Sequence, residues 1–208
     1  MIESMMTYVS ENTALYIGYI VEHILISMQA LALAGIIGVM LGYVGYQYPR
    51  IRSWVTGLSQ GLRVIPSLGI LFILIPLIGV GKVPALLALV ILGLPPVVLN
   101  TIVGLAQVSE GLMETGTGLG MTHRQLIYKV AFPLALPYIL IGLKLALVEI
   151  ISSATLATYI GAGGLGNIIF TGLGLYRYDL LILGGASVAM LSLVSMVVFD
   201  LIIRKVQS

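Results

Sequence analysis

The sequence predicts an all-α integral membrane protein of about five transmembrane helices, and three observations carry that expectation. First, its 208 residues are 59% hydrophobic and only 9% charged, whereas soluble domains run at roughly 45–50% apolar and about 25% charged. Second, the apolar residues fall in continuous runs of about 20 or more, the length a helix needs to cross hydrocarbon, and do not alternate as barrel strands do. Third, glycine is frequent, at 25 residues, as it is where membrane helices approach closely. Mean hydropathy is +1.12. Such a chain cannot cover itself with polar surface, which excludes a soluble enzyme. The lack of cysteine removes disulfides, Cys-based zinc sites and thiol nucleophiles. A net charge of +2 gives no footprint for nucleic acid.

Taken in order, the first span covers Ile24 to Tyr46, after an amphipathic lead-in from Leu15 to Val21 that ends at Glu22 and His23. Met1 to Thr13 carries Glu3 and Glu11 but no basic residue, unlike a cleavable signal. The second span covers Ser53 to Ile78, broken by Pro66 and Pro76, and the third covers Val83 to Leu105 with a kink at Pro95-Pro96. Leu134 to Tyr159 forms the fourth and Leu180 to Ile203 the fifth, with a polar insert from Ala106 to Val130 between the third and fourth. Arg50, Arg52, Arg124, Lys129, Arg204 and Lys205 fall on one side, and only Lys82 and Arg177 on the other. This bias puts the insert and C-terminus in the cytoplasm and the N-terminus outside.

Within the insert, Ser109 is placed to N-cap a helix with Glu110 in its first turn. Gly116, Gly118 and Gly120 are expected to end that helix, and Thr122 to Gln125 reads as a capping box opening a second one that Pro133 stops. Leu119, Met121, Leu126 and Ile127 would give this helix-turn-helix knob an apolar ridge.

Catalytic chemistry is missing. Gly79 to Pro84 lacks the leading glycine and the Ser or Thr of a phosphate-binding loop. Gly161 to Gly166 formally fits a dinucleotide fingerprint but follows a membrane helix rather than a strand. His23 and His123 stand apart and read as solvated interfacial histidines, not as metal ligands.

Charges inside spans cost about 2.5–3.5 kcal/mol each, so each requires a reason. Arg63 and Lys144 lie about ten residues into their spans, roughly 15 Å deep at 1.5 Å per residue. Glu149 is about 140° round the helix from Lys144 and cannot pair with it closely. Two readings stand: these groups line a water-filled path or gate, or they pair across helices, such as Arg63 with Glu149, and hold the bundle together.

Glu114-Thr115-Gly116, then Gly120, then Val130-Ala131-Phe132-Pro133 resembles the EAA motif of permease subunits of ATP-binding cassette importers. Glu114, Gly120, Val130 and Pro133 match in spacing, while Thr115, Gly116 and Phe132 replace two alanines and a leucine. Ile65-Pro66-Ser67-Leu68, Leu99-Asn100-Thr101, Ala154-Thr155-Leu156-Ala157 and Tyr159 to Gly166 resemble the osmoprotectant branch, which imports glycine betaine, carnitine and choline. Methionine-type permeases carry a similar glycine stretch, so that substrate class stays open beside a stand-alone secondary transporter.

The resemblance implies a type I importer permease fold: a single permease domain over residues 1–208, with a coupling segment at residues 106–133 that docks on a separate ATPase. Glu114, Gly116, Gly120, Met121, Thr122, Val130 and Pro133 would serve coupling, with Glu114 bonding within the loop. Arg63, Pro66, Ser67, Asn100, Lys144, Glu149, Gly161, Gly163, Gly164 and Gly166 would line the path or its gate. The expected partners are a cytoplasmic ATPase dimer, a second permease subunit, an extracytoplasmic binding protein and membrane lipid, without nucleic acid. ATP and Mg would be used by the ATPase, and this chain would bind no cofactor or metal. Glycine-spaced faces at Gly38 to Gly42 and Gly57 to Gly61 would allow close helix approach in such a complex. A prokaryotic cytoplasmic membrane is the expected location. Because the chain has no cysteine, Arg177→Cys should react with an impermeant thiol reagent in intact cells and Arg124→Cys should not; the reverse labelling would invert the topology.

Overall fold

The computed structural model describes residues 1–207, and among them there is no strand. The helices are α1 (Ile2–Glu11), α2 (Thr13–Gln47), α3 (Pro49–Val64), α4 (Ser67–Ile78), α5 (Lys82–Ala106), α6 (Glu110–Gly118), α7 (His123–Leu126), α8 (Phe132–Ala157), α9 (Gly166–Gly174) and α10 (Tyr178–Gln207). Four helical stretches are long and apolar enough to cross a membrane: α2, α5, the run from His123 to Ile160, and α10. The bent pair α3–α4 makes a fifth if counted as one span.

The second span breaks at Pro66 as expected, while other boundaries differ from expectation. The lead-in is no separate element, because α2 runs unbroken for 35 residues from Thr13. α3 and α4 meet at 97°. Ile65 before Pro66 is extended (φ −74°, ψ 124°), as a residue preceding proline prefers. α4 alone has 12 residues, about 18 Å of helix, too short for a hydrocarbon core of about 30 Å. Pro76 and Pro95-Pro96 do not interrupt their helices. Nor does Pro133 stop the second insert helix: a π-helical turn, Ile127–Ala131, joins α7 to α8. Pro133 then lies in the first turn of α8, where a missing N–H costs least.

The core is built around α5, which packs between α2 and α8. Ala30 and Ala34 of α2, Ala85, Ala88, Leu89 and Val97 of α5, and Ala146, Ile150 and Ala154 of α8 are all buried in one cluster. Small residues set the spacing, since lipid offers no hydrophobic drive for helices to associate and dispersion contact must do it. A Cβ on Gly42 would lie 2.5 Å from Cβ of Thr101, and one on Gly38 would lie 2.8 Å from Cβ of Val97. The Gly38–Gly42 face therefore serves α2–α5 packing within the chain, whereas Gly57 and Gly61 on α3 face open space.

At the other contact, a Cβ on Gly142 of α8 would meet the Pro96 carbonyl at 2.8 Å and Cβ of Asn100 at 2.9 Å. Backbone cannot step aside as a side chain can, and overpacking of this kind costs about 1–3 kcal/mol. Gly142→Val should lower the thermal midpoint of the purified protein, whereas Gly57→Val, with nothing within 4 Å, should leave it unchanged. Equal midpoints for the two variants would contradict this packing.

Candidate functional site

Three places gather the chemistry: the insert at one end of the bundle, a glycine loop at the other, and a cavity between them.

The insert follows its local code. Ser109 Oγ accepts from Leu112 N at 3.4 Å. The capping box is complete, with Gln125 N donating to Thr122 Oγ1 at 3.4 Å and Thr122 N to Gln125 Oε1 at 2.8 Å. α6 closes in a Schellman turn: Met121 N bonds Gly116 O at 3.0 Å, Gly120 N bonds Thr117 O at 2.9 Å, and Gly120 takes φ +79°. Gly116 does not end the helix. It is buried inside α6, where a Cβ would collide with Leu126 Cδ2 and approach Met121 Sδ at 3.3 Å.

The expected apolar ridge splits. Leu126 and Ile127 turn inward, while Leu119 at the tip is 79% exposed. Glu114 is exposed and, among the described residues, makes no hydrogen bond or ion pair, so it does not brace the loop as expected. Ile127 and Ala131 pack with Leu105, Ala135 and Ile139, backed by Val108, Met113, Tyr43 and Tyr46. This cluster fixes the knob to the ends of α2, α5 and α8. Val130 is half-buried in the π-helical turn beside it.

At the far end, α8 closes through a 3-10 turn at Thr158–Ile160. Gly161, Gly163 and Gly164 have φ of +91°, +80° and +86° before α9 begins. Two residues of α2 hold this loop. Glu22 Oε2 accepts from Gly164 N at 3.0 Å, and His23 Nδ1 accepts from Leu165 N at 3.3 Å. The opposite ring nitrogen of His23, Nε2, lies 3.0 Å from Ile151 O and donates to it. His23 is fully buried and is thus not a solvated interfacial side chain. An imidazole accepting at Nδ1 and donating at Nε2 is the neutral tautomer. The loop also meets the α4–α5 turn, where Gly81 N donates to Ile160 O at 2.6 Å, and Lys82 lies 3.5 Å from Glu22. Gly166 has no room for a Cβ against Thr155 O and Thr158 Oγ1.

Between the ends lies a cavity of about 500 Å³ whose lining includes Arg63, Asn100, Lys144 and Glu149. Four of the sequence-selected residues therefore meet in one place. Ile65 lines it, but Pro66 and Ser67 do not. Arg63 and Glu149 are not ion-paired. Lys144 Nζ bonds Asp200 Oδ1 at 2.7 Å instead, so one intramembrane cation is paired by an α10 carboxylate that the sequence reading passed over. Asn100 Nδ2 donates to Pro96 O at 2.8 Å.

The chain is an all-helical bundle with a bent second span and an exposed knob between its third and fourth spans, and among the described residues no cluster could hold a metal ion. Residues 34–208 match the family of binding-protein-dependent transport system inner membrane components. The chain belongs to that family. This importer permease, a multi-pass inner-membrane protein and not itself an enzyme, is 41% identical to the carnitine transport permease protein of Listeria monocytogenes over 92% of this chain and 88% of that one. It is 39% identical to a glycine betaine/carnitine/choline transport system permease protein of Bacillus subtilis (strain 168), over 97% of this chain and 93% of the other. In fold it matches a chain of the MetNI methionine ABC transporter with a TM-score of 0.80 at 22% identity, covering 93% and 97% of the two chains.

Within this permease, replacing His23 by Ala would leave the buried Leu165 N–H unpaired and remove the Nε2 bond to the Ile151 carbonyl. Buried unsatisfied groups cost about 1–3 kcal/mol. His23→Ala should therefore lower the thermal midpoint of the purified permease; no change would show that the loop is held by other contacts.

Proposed function

We propose that this permease imports small trimethylammonium osmolytes of the glycine betaine, carnitine and choline class. It forms half of a translocation path with a second permease subunit, identical or homologous. Support comes from the names of relatives at 39–41% identity over nearly the whole chain. The N-terminus lies outside and the C-terminus in the cytoplasm, as the basic residues direct.

The observation that carries the mechanism is the knob. Residues 106–133 form the coupling segment of a single permease domain spanning residues 1–208. They present the exposed tip at Leu119 and Gly120 and the unpaired Glu114 to a cytoplasmic ATPase dimer, which alone uses ATP and Mg. Met121, Thr122 and Gln125 rigidify the tip, and the cluster around Ile127 and Leu105 passes its displacement to α2, α5 and α8. At the outer end, a binding protein delivers solute over the loop carrying Gly161, Gly163, Gly164 and Gly166. That loop closes the path at rest, and Pro66 and Ser67 mark the hinge of the bent second span. Arg63, Asn100, Lys144 and Glu149 line the way between.

The test is reconstitution in lipid vesicles with an ATPase and binding protein, reading ATP-dependent uptake of glycine betaine, carnitine and choline. Gly120→Val places a β-branched residue at φ +79°, a conformation such residues avoid. It should abolish uptake while the permease still inserts and still binds the loaded binding protein. Normal uptake by Gly120→Val would remove the coupling role from the knob. Failure of the unaltered complex to take up any of the three solutes would remove the substrate class.

A further inference from the structure

The central cavity has an unusual charge account. Lys144 is neutralised by Asp200 at 2.7 Å and brings no net charge. Arg63, by contrast, has no hydrogen-bond or ionic partner among the described residues, and Glu149 accepts only a long bond from Ser153 Oγ at 3.4 Å. One cation and one anion without ionic partners among the described residues therefore line the same space of about 500 Å³, and both are exposed in this chain. A solute carrying both charges matches both. A simple cation matches Glu149 and leaves Arg63 unmatched, and a simple anion does the opposite.

We propose that this cavity is a transit site for a zwitterion, with the solute carboxylate on Arg63 and its onium group beside Glu149. A guanidinium suits a carboxylate through paired N–H donors. The onium methyl groups have apolar wall to rest on at Leu99, Leu145 and Val148. Among the described residues no aromatic side chain lines the cavity, so the onium group is not caged by ring faces, the arrangement that gives strong retention. The site matches charge without gripping, as a step on a path requires. The inference rests on the osmolyte reading and narrows it: this permease favours betaine-like zwitterions over choline-like cations.

The experiment compares ATP-driven uptake of glycine betaine and of choline by the complete reconstituted complex, using one binding protein throughout and normalising to assembled complex. Arg63→Gln leaves an unopposed carboxylate and should raise the choline-to-betaine ratio about tenfold, the scale of one charge-assisted contact. Glu149→Gln leaves an unopposed guanidinium and should lower that ratio by a similar factor. Asp200→Asn frees the Lys144 ammonium from outside the cavity lining and should shift the ratio in the same direction as Glu149→Gln. The exchange variant, Arg63→Glu with Glu149→Arg, keeps the account at zero and should keep the preference for betaine. If the unaltered complex transports both solutes but the variants lower both equally, the transit site is overturned while the osmolyte reading stands. If the unaltered complex transports neither, both fall.

Discussion

A peptide group buried in protein has no water to bond, so any break in a helix there must be repaired by the chain itself. That constraint governs the loop after α8. Three left-handed glycines stop the helical ladder, and the freed amides of Gly164 and Leu165 are taken up by Glu22 and His23 of α2. The repair explains why α2 extends unbroken through Glu22 and His23 and why a buried histidine is tolerated there. It also binds the last third of the chain to α2 and, through Lys82 and Gly81, to the α4–α5 turn. Two hydroxyls beside the repaired stretch, Ser27 one turn along α2 and Thr155 near Gly166, are buried without partners. Unsatisfied groups of this kind cost about 1–3 kcal/mol. The amides of Gly164 and Leu165 are thus paired while these two neighbouring hydroxyls are not.

The two ends of the bundle are linked through one continuous helical stretch. From His123 to Ile160 the chain runs from the knob through a π-helical turn and α8 to the glycine loop. α8 packs closely on α5 across Gly142 and Gly104 and carries Lys144 and Glu149 to the central cavity. Under the proposed coupling, a displacement of the knob would reach the cavity and the loop along this stretch, which the Lys144–Asp200 pair joins to α10.

What the sequence made legible was local in origin. Apolar runs fixed the long helices, and the Thr122–Gln125 box and the Gly120 turn were readable because their bonds join residues a few positions apart. The contacts it hid are long-range. His23 looked solitary because its partners lie 128 and 142 residues further on, and Lys144 finds Asp200 at a separation of 56. An intramembrane charge announces that a partner or a path exists without saying which, and so two readings stood open for Arg63 and Glu149, which share a cavity and are not ion-paired. The Gly38–Gly42 face likewise declared close packing but not against what. The 97° bend had a local cause in Pro66, but proline alone does not set an angle.

The central claim is that the glycine loop is an outer gate latched by α2 and released when the ATPase closes. Amide hydrogen exchange at Gly164 and Leu165 in the reconstituted complex tests it most directly. Exchange should be slow without nucleotide, when Glu22 and His23 hold both amides, and should accelerate when the ATPase is trapped closed with the binding protein bound. Equal protection in the two states would contradict the gate and leave the loop a fixed part of the scaffold.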